Sequence, residues 1–240
     1  MAKLEAYDKA LDYSYAPGIF PATECLKNAK KRCMRLLVSS NGLQSEGVQA
    51  LERDAQEAGV RVEVADRALE RISKKENCFA AMVYKKAEGR FDEDSPHIVL
   101  HHPSDSGNLG TILRTALGFG LKNIAIIRPA VDSDDPRVVR ASMGAVFRMD
   151  IPAITEAEVL AQCAEKNLML TITALNDRAV DIRGADFRNA VAVIGSEGQG
   201  VRREILESAD GELIIPMNKR CESLNAAVAA AIVMWQMKNG

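Results

Sequence analysis

The sequence predicts an α/β protein in which a smaller N-terminal α/β unit precedes a domain built on a mostly parallel sheet. Three observations lead there. Five short apolar runs follow residue 96, at 98–102, 123–127, 168–173, 191–194 and 213–215. Helix-like stretches separate most of them, and strands apolar on both faces that alternate with helices form parallel sheets. An acidic, polar stretch at 88–96 (EGRFDEDSP) divides these runs from an earlier region of different rhythm, as a linker does. The expected domains are therefore residues 1–90 and 96–240.

In the first region, residues 21–30 follow a helical pattern with Pro21 at a tolerated first-turn position. Residues 35–39 (RLLVS) form a buried strand in this reading, and 45–58 an amphipathic helix. Residues 61–65 (RVEVA) alternate as a strand does, 66–72 continue as helix, and 79–83 supply a third strand.

The 240 residues are 47% hydrophobic and 27% charged, the profile of an ordinary globular protein with room for a core. Residues 1–14 show no signal-peptide pattern. The longest apolar run, 226–235, is half of the roughly 20 residues that a membrane span needs. Cys25, Cys33, Cys78, Cys163 and Cys221 are odd in number, scattered and without a CxxC pair, which suits a reducing cytoplasm. His101 and His102 would need further ligands to hold a metal, and the local sequence offers none, so no metal is expected. The net charge is −2, and basic and acidic side chains nearly balance on both sides of Ser95. Any contact with an anionic polymer such as a nucleic acid must come from local patches, such as Lys27, Lys30, Lys31, Arg32 and Arg35; the same cluster also reads as a solvated helix end.

Ligands of parallel α/β sheets sit beyond the carboxyl ends of the strands, and three such ends carry unusual sequence. The first is 101–120, HHPSDSGNLGTILRTALGFG, where Asn108 is expected to cap a helix. Thr111, Arg114, Thr115 and Gly118 form one polar stripe on it. Arg114 could bind phosphate or carboxylate, although by itself an Arg on a helix surface reads first as a salt-bridge partner. The second is 191–201, VAVIGSEGQGV, a buried strand running into a Gly-rich turn. Its spacing is neither GxGxxG nor GxxxxGK[ST], which argues against a nicotinamide dinucleotide and against a phosphate loop. The third is 213–236, with a Pro after a strand, a polar loop, and a helix starting near Ser223. Asn225 is the only polar residue between Leu224 and Trp235, so this helix is expected to be buried all round, with Asn225 buried or at a cavity edge, or else part of a capping Ser–x–Asn pair.

In this order the three loops resemble the signature motifs of the SpoU (TrmH-like) RNA 2′-O-ribose methyltransferases of the SPOUT superfamily: NLGTILRTA at 108–116, IGSEGQG at 194–200, then IPM at 215–217 with SLN at 223–225. The stretch 135–147 (DPRVVRASMGAVF) is also similar, and the resemblance covers 96–240. It implies a C-terminal trefoil knot, S-adenosyl-L-methionine as cofactor, and a homodimer with the site near the subunit interface. Gly195, Ile215 and Leu224 would contact the cofactor through the backbone, with Ser196, Glu197, Gly198, Gly200 and Met217 shaping its pocket. Asn108, Arg114, Glu197, Ser223 and Asn225 would form the polar active-site set. Residues 1–90 resemble, more loosely, a ribosomal-protein-like RNA-binding domain, which favours rRNA over tRNA. The rival readings are a catalytically inactive RNA-binding relative and a nicotinamide-dependent oxidoreductase.

Overall fold

The computed structural model describes residues 4–73, 78–89, 97–174, 178–196, 200–218 and 220–239. The first elements are β1 (Tyr13–Pro17), α1 (Ile19–Asn28), β2 (Cys33–Val38), α2 (Glu46–Glu57), β3 (Arg61–Val64), α3 (Asp66–Ile72) and β4 (Ala80–Lys85). Then come β5 (Ile98–His101), α4 (Ser106–Phe119), β6 (Ile124–Ile127), α5 (Pro136–Ala141), β7 (Ala153–Ile154) and α6 (Glu156–Lys166). The chain ends through β8 (Met169–Thr173), β9 (Val180–Asp181), β10 (Ala190–Ile194), α7 (Arg203–Glu207), β11 (Gly211–Ile214) and α8 (Ala226–Asn239). Among the described residues no helix is long and apolar enough to cross a membrane.

The chain divides into two units: Met1–Ala87 with Asp132–Arg148, and Glu88–Val131 with Met149–Gly240. The units part between Ala87 and Glu88, and residues 132–148, inside the 96–240 stretch read as one domain, group with the first unit. Pairings over such separations leave no local pattern in the sequence.

The first unit holds a four-stranded sheet in the order β1-β4-β2-β3. Strand β4 runs antiparallel to both neighbours, and β3 parallel to β2. Helix α2 buries Val48, Leu51 and Ala55, one face at helical spacing. Tyr15, Leu37, Leu69, Ala81 and Val83 form one apolar core. The returning segment is held by carboxylates. Asp132 Oδ2 accepts from Tyr7 Oη at 2.7 Å and from Lys86 Nζ at 2.8 Å. Asp134 Oδ1 accepts from Tyr84 Oη at 2.9 Å and from the Arg32 guanidinium at 3.4 Å, and Ser14 Oγ donates to the Asp134 carbonyl. Asp135 caps α5 and Pro136 opens it, and α5 then packs on β1. Gly144 lies at φ +77° where a Cβ would meet Glu24 Cβ at 2.7 Å, so the segment closes against α1 only without a side chain there.

In the second unit seven strands lie in the order β7-β6-β5-β10-β8-β11-β9, and every neighbouring pair is parallel. This is the parallel α/β architecture expected from the apolar runs. Strands β5, β6 and β10 are buried along their whole length, and Val99, Ala125, Ile127, Ile172, Val191 and Val193 join one core. Helix α4 is capped by Asp105, whose side chain accepts from Asn108 N at 2.7 Å, and it ends at left-handed Gly120. Asn108 is therefore not the cap that sequence suggested; the carboxylate three residues earlier takes that position.

The two aspartates of the returning segment titrate in opposite senses. Burial alone would raise the Asp132 carboxyl, but bonds from Lys86 and Tyr7 outweigh it and hold the group below the ordinary carboxylate range. At Asp134 burial wins and the carboxyl is raised despite Tyr84. Asp132→Asn is expected to cost about 1–3 kcal/mol at neutral pH, because Lys86 loses its anion. A group with a lowered folded pKa stabilises above its unfolded value, about 3.9, and loses that contribution as pH falls through the folded value. The gap between wild type and variant in denaturant midpoints should thus hold from pH 7 to about pH 5 and close under more acid conditions; a gap that persists unchanged at pH 2 would contradict the assignment.

Candidate active site

The carboxyl ends of β8, β10 and β11 and the start of α8 enclose a cavity of about 350 Å³. Its described lining includes Thr173 and Ala174 after β8, Ile194–Ser196 and Gly200 after β10, Ile215 and Met217 after β11, and Ser223, Leu224, Ala226 and Ala229 leading into α8. Val201, Leu206 and Leu213 complete an apolar wall. Hydroxyls of Thr173, Ser196 and Ser223 are the polar side chains, and no charged residue lines it among those described. Such a site receives a ligand through apolar contact and backbone groups, with few side-chain bonds to orient it.

The turn after β10 sets the shape. Ser196 and Gly200 form an isolated antiparallel bridge, Ser196 N to Gly200 O at 3.2 Å and Gly200 N to Ser196 O at 3.1 Å. A Cβ on Gly195 would stand 2.7 Å from the Gly200 carbonyl carbon. Backbone meets backbone here, and only glycine permits it.

Of the residues singled out by sequence, Gly195, Ser196, Gly200, Ile215, Met217, Leu224 and Ser223 all lie on this one cavity. Glu197 and Gly198 fall outside the described residues. Asn108 and Asn225 meet each other: Asn225 Nδ2 donates to Asn108 Oδ1 at 3.0 Å, joining the first motif to the third across 117 residues. Asn225 Oδ1 also accepts from Ala227 N at 2.9 Å and Val228 N at 3.4 Å, so it caps α8, which begins three residues later than expected. Asn225 is exposed rather than buried. The helix is not buried all round either: Val228 is 48% and Trp235 58% exposed. It buries Ala227, Ala230, Val233 and Met234, packs against α4, and leaves a second apolar face open. Trp235 meets Phe119 of α4 edge-on at 5.7 Å.

Arg114 does not line the cavity. It is exposed on α4, six residues and so about 9 Å along the axis from Asn108. Thr111 and Thr115 on the same stripe turn their hydroxyls back to the carbonyls of Gly107 and Thr111 at 2.8 Å, which leaves Arg114 as the group of that stripe able to reach outward.

Sequence reasoning missed a second cluster at the same edge of the sheet. His101 Nε2 and His102 Nε2 lie 3.0 and 3.3 Å from one oxygen of Glu156, the first residue of α6. Burial, reinforced by the neighbouring His102, pushes the His101 imidazole below its usual value despite Glu156. The histidines were visible in the sequence; their acidic partner, more than fifty residues away, was not.

The family model of the SpoU rRNA Methylase family matches residues 95–235. The chain is 30% identical over 142 residues to an uncharacterized tRNA/rRNA methyltransferase of Synechocystis sp., a match covering 59% of this chain and 52% of that one, so the likeness spans about half that relative's length. Its fold is similar to that of an AdoMet-bound rRNA methyltransferase from Sinorhizobium meliloti, with a TM-score of 0.79 at 23% identity over 95% of this chain and 87% of that chain. An RNA 2′-O ribose methyltransferase structure matches with a TM-score of 0.75 at 26% identity, covering 95% and 88%.

The Asn108–Asn225 contact gives a separable test. Asn225→Asp keeps the helix cap and removes the donor to Asn108, whereas Asn225→Ala removes both. Loss of the cap should cost about 0.5–2 kcal/mol, so thermal unfolding should place Asn225→Ala below Asn225→Asp; equal melting points would show that the cap contributes nothing.

Proposed function

This chain belongs to the SpoU rRNA methylase family, and from that premise we propose that it transfers the methyl group of S-adenosyl-L-methionine to a ribose 2′-hydroxyl of RNA, rRNA rather than tRNA. The observation that carries the reading is the single cavity on which the residues after β10 and β11 converge with those before α8. Its apolar wall, three hydroxyls and glycine-tight turn fit an adenosine-like ligand held largely by backbone. Gly195, Ile215 and Leu224 would hold the cofactor through their main chain, with Ser196, Gly200 and Met217, and in this reading Glu197 and Gly198, shaping the pocket. The RNA 2′-O ribose methyltransferase at 26% identity supports the ribose oxygen as acceptor.

When bound, the cofactor supplies a methyl group on a sulfonium, which transfers in line to an attacking oxygen. The chain must then align a ribose hydroxyl and help its proton leave. Arg114 clamps an RNA phosphate and stabilises the oxygen as it gains negative charge; a guanidinium stays protonated, so the clamp is preferred to a role as base. Asn108 orients the ribose, held by Asn225, while Ser223 lines the mouth. Because Arg114 lies outside its own chain's cavity, pairing of two copies through the open face of α4 and α8 would bring it to a methyl donor. The exposed Val228 and Trp235 support that homodimer. Residues 1–90 serve as the RNA-binding domain in this reading, with Lys27, Lys30 and Lys31 exposed. The trefoil knot rests on family membership, and the five thiols, all free, accord with a reducing cytoplasm.

Labelled S-adenosylmethionine incubated with total cellular RNA should place label in 2′-O-methylnucleosides of the rRNA fraction. Label in tRNA instead would move the substrate, and cofactor binding with no label in any fraction would favour a silent RNA-binding relative. Arg114→Ala should lower turnover about 100-fold or more with cofactor affinity unchanged; near-normal turnover would remove Arg114 from the mechanism. Trp235→Glu should shift sedimentation from dimer to monomer, and a wild type that sediments as a monomer would discard the pairing.

A further inference from the structure

We propose that His101, His102 and Glu156 bind one divalent transition-metal ion of the zinc class, at a site apart from the methyl-transfer cavity. The argument begins with the backbone. Consecutive residues at the end of a strand point to opposite faces, but His102 takes a left-handed conformation, φ 49°. That turn swings its ring to the side of His101, with centroids 4.1 Å apart, at the carboxyl end of β5. A non-glycine residue held there costs free energy and is a reason to look for a ligand.

The hydrogen bonds then fix where the lone pairs lie. His102 Nδ1 is 3.1 Å from the Pro129 carbonyl, which can only accept, so the proton of the neutral ring sits on Nδ1. Its Nε2 lone pair consequently faces Glu156 Oε1 at 3.3 Å, acceptor against acceptor. His101 Nε2 is 3.0 Å from the same oxygen and 3.5 Å from the Arg202 backbone N, while its Nδ1 is buried without a hydrogen-bond partner, so the ring can present its Nε2 as a lone pair or as a donor to Glu156. The repulsion between His102 Nε2 and Glu156 Oε1 is relieved if a cation lies between them, and a ligand atom of His101 lies within 4.8 Å of both to complete its shell.

The spacing suits a metal. Bonds of about 2.0–2.1 Å to tetrahedral zinc place neighbouring ligand atoms about 3.3 Å apart, close to the two separations found. An imidazole that ligates through one nitrogen and donates the other N–H to a carbonyl is the usual second contact of a metal-bound histidine, and His102 makes it to Pro129. Two histidines and one carboxylate leave a fourth position open to water or to an oxygen of a bound molecule. The Arg202 guanidinium lies 3.8 Å from Glu156 Oε1 with its side chain 51% exposed, so it can withdraw into solvent as a metal enters. The competing state has His101 donating its Nε2–H to Glu156 and a second proton on His102, an ordinary imidazolium–carboxylate pair.

Chelator-stripped full-length protein titrated with Co²⁺ should show one equivalent of tetrahedral visible bands without thiolate charge transfer, and calorimetry with Zn²⁺ should give the same stoichiometry. His102→Asn, which tolerates the left-handed backbone, and Glu156→Gln should each weaken binding about 100-fold or more. Zn²⁺ should raise the melting temperature of the wild type and of neither variant, while circular dichroism of the metal-free variants reports that they fold. Substoichiometric binding, thiolate bands, or unchanged affinity in folded variants would overturn the site in favour of the imidazolium pair.

Discussion

The cavity depends on one approach of main chain to main chain, where the residue leaving β10 passes close against the residue that re-enters at Gly200. No side chain fits between them, so the turn is fixed by exclusion rather than by attraction. The apolar floor is set by β8, β10 and β11, whose ends must lie level for their following residues to share one space. Parallel pairing provides that: every strand ends on the same edge, and each following loop emerges beside the others.

A second constraint ties two distant loops together. Asn225 spends its oxygen on the first turn of α8 and its amide nitrogen on Asn108. The orientation of α8 therefore follows the position of α4, and the two helices pack along their length. Because α8 supplies part of the cavity wall, a change on α4 can reach the ligand space through this one amide.

Much of this was legible in the sequence. The apolar runs marked β5, β6, β8, β10 and β11 to within two residues at either end, since strands buried on both faces leave no polar interruption. The motif residues around Gly195, Ile215 and Leu224 were found as a group through the resemblance of three strand-end loops, in order, to the SpoU motifs; glycine and proline marked those loops but did not assign their roles. Strand β1 escaped, as its YSYAP sequence looks like a turn and owes its place to pairing with β4. Strands β7 and β9, two residues each, carry too little pattern to detect. The exposure of Asn225 and of one face of α8 was misjudged, because an apolar helix reads alike whether its second face meets its own core or another surface. Glu156 could not be joined to the histidines without the sheet that brings their loops to one edge.

The return of residues 132–148 to the first unit has a bearing on how the molecule is made. Synthesis runs from the N-terminus, and a segment that emerges early can close only on partners already outside the ribosome. Tyr7, Lys86 and Tyr84 must wait for Asp132 and Asp134 before their polar ends are satisfied. By then β5, α4 and β6 of the second unit have already been translated. A cut at 88–96 would part the N-terminal strands from the segment 132–148, whose carboxylates accept from Tyr7, Lys86 and Tyr84.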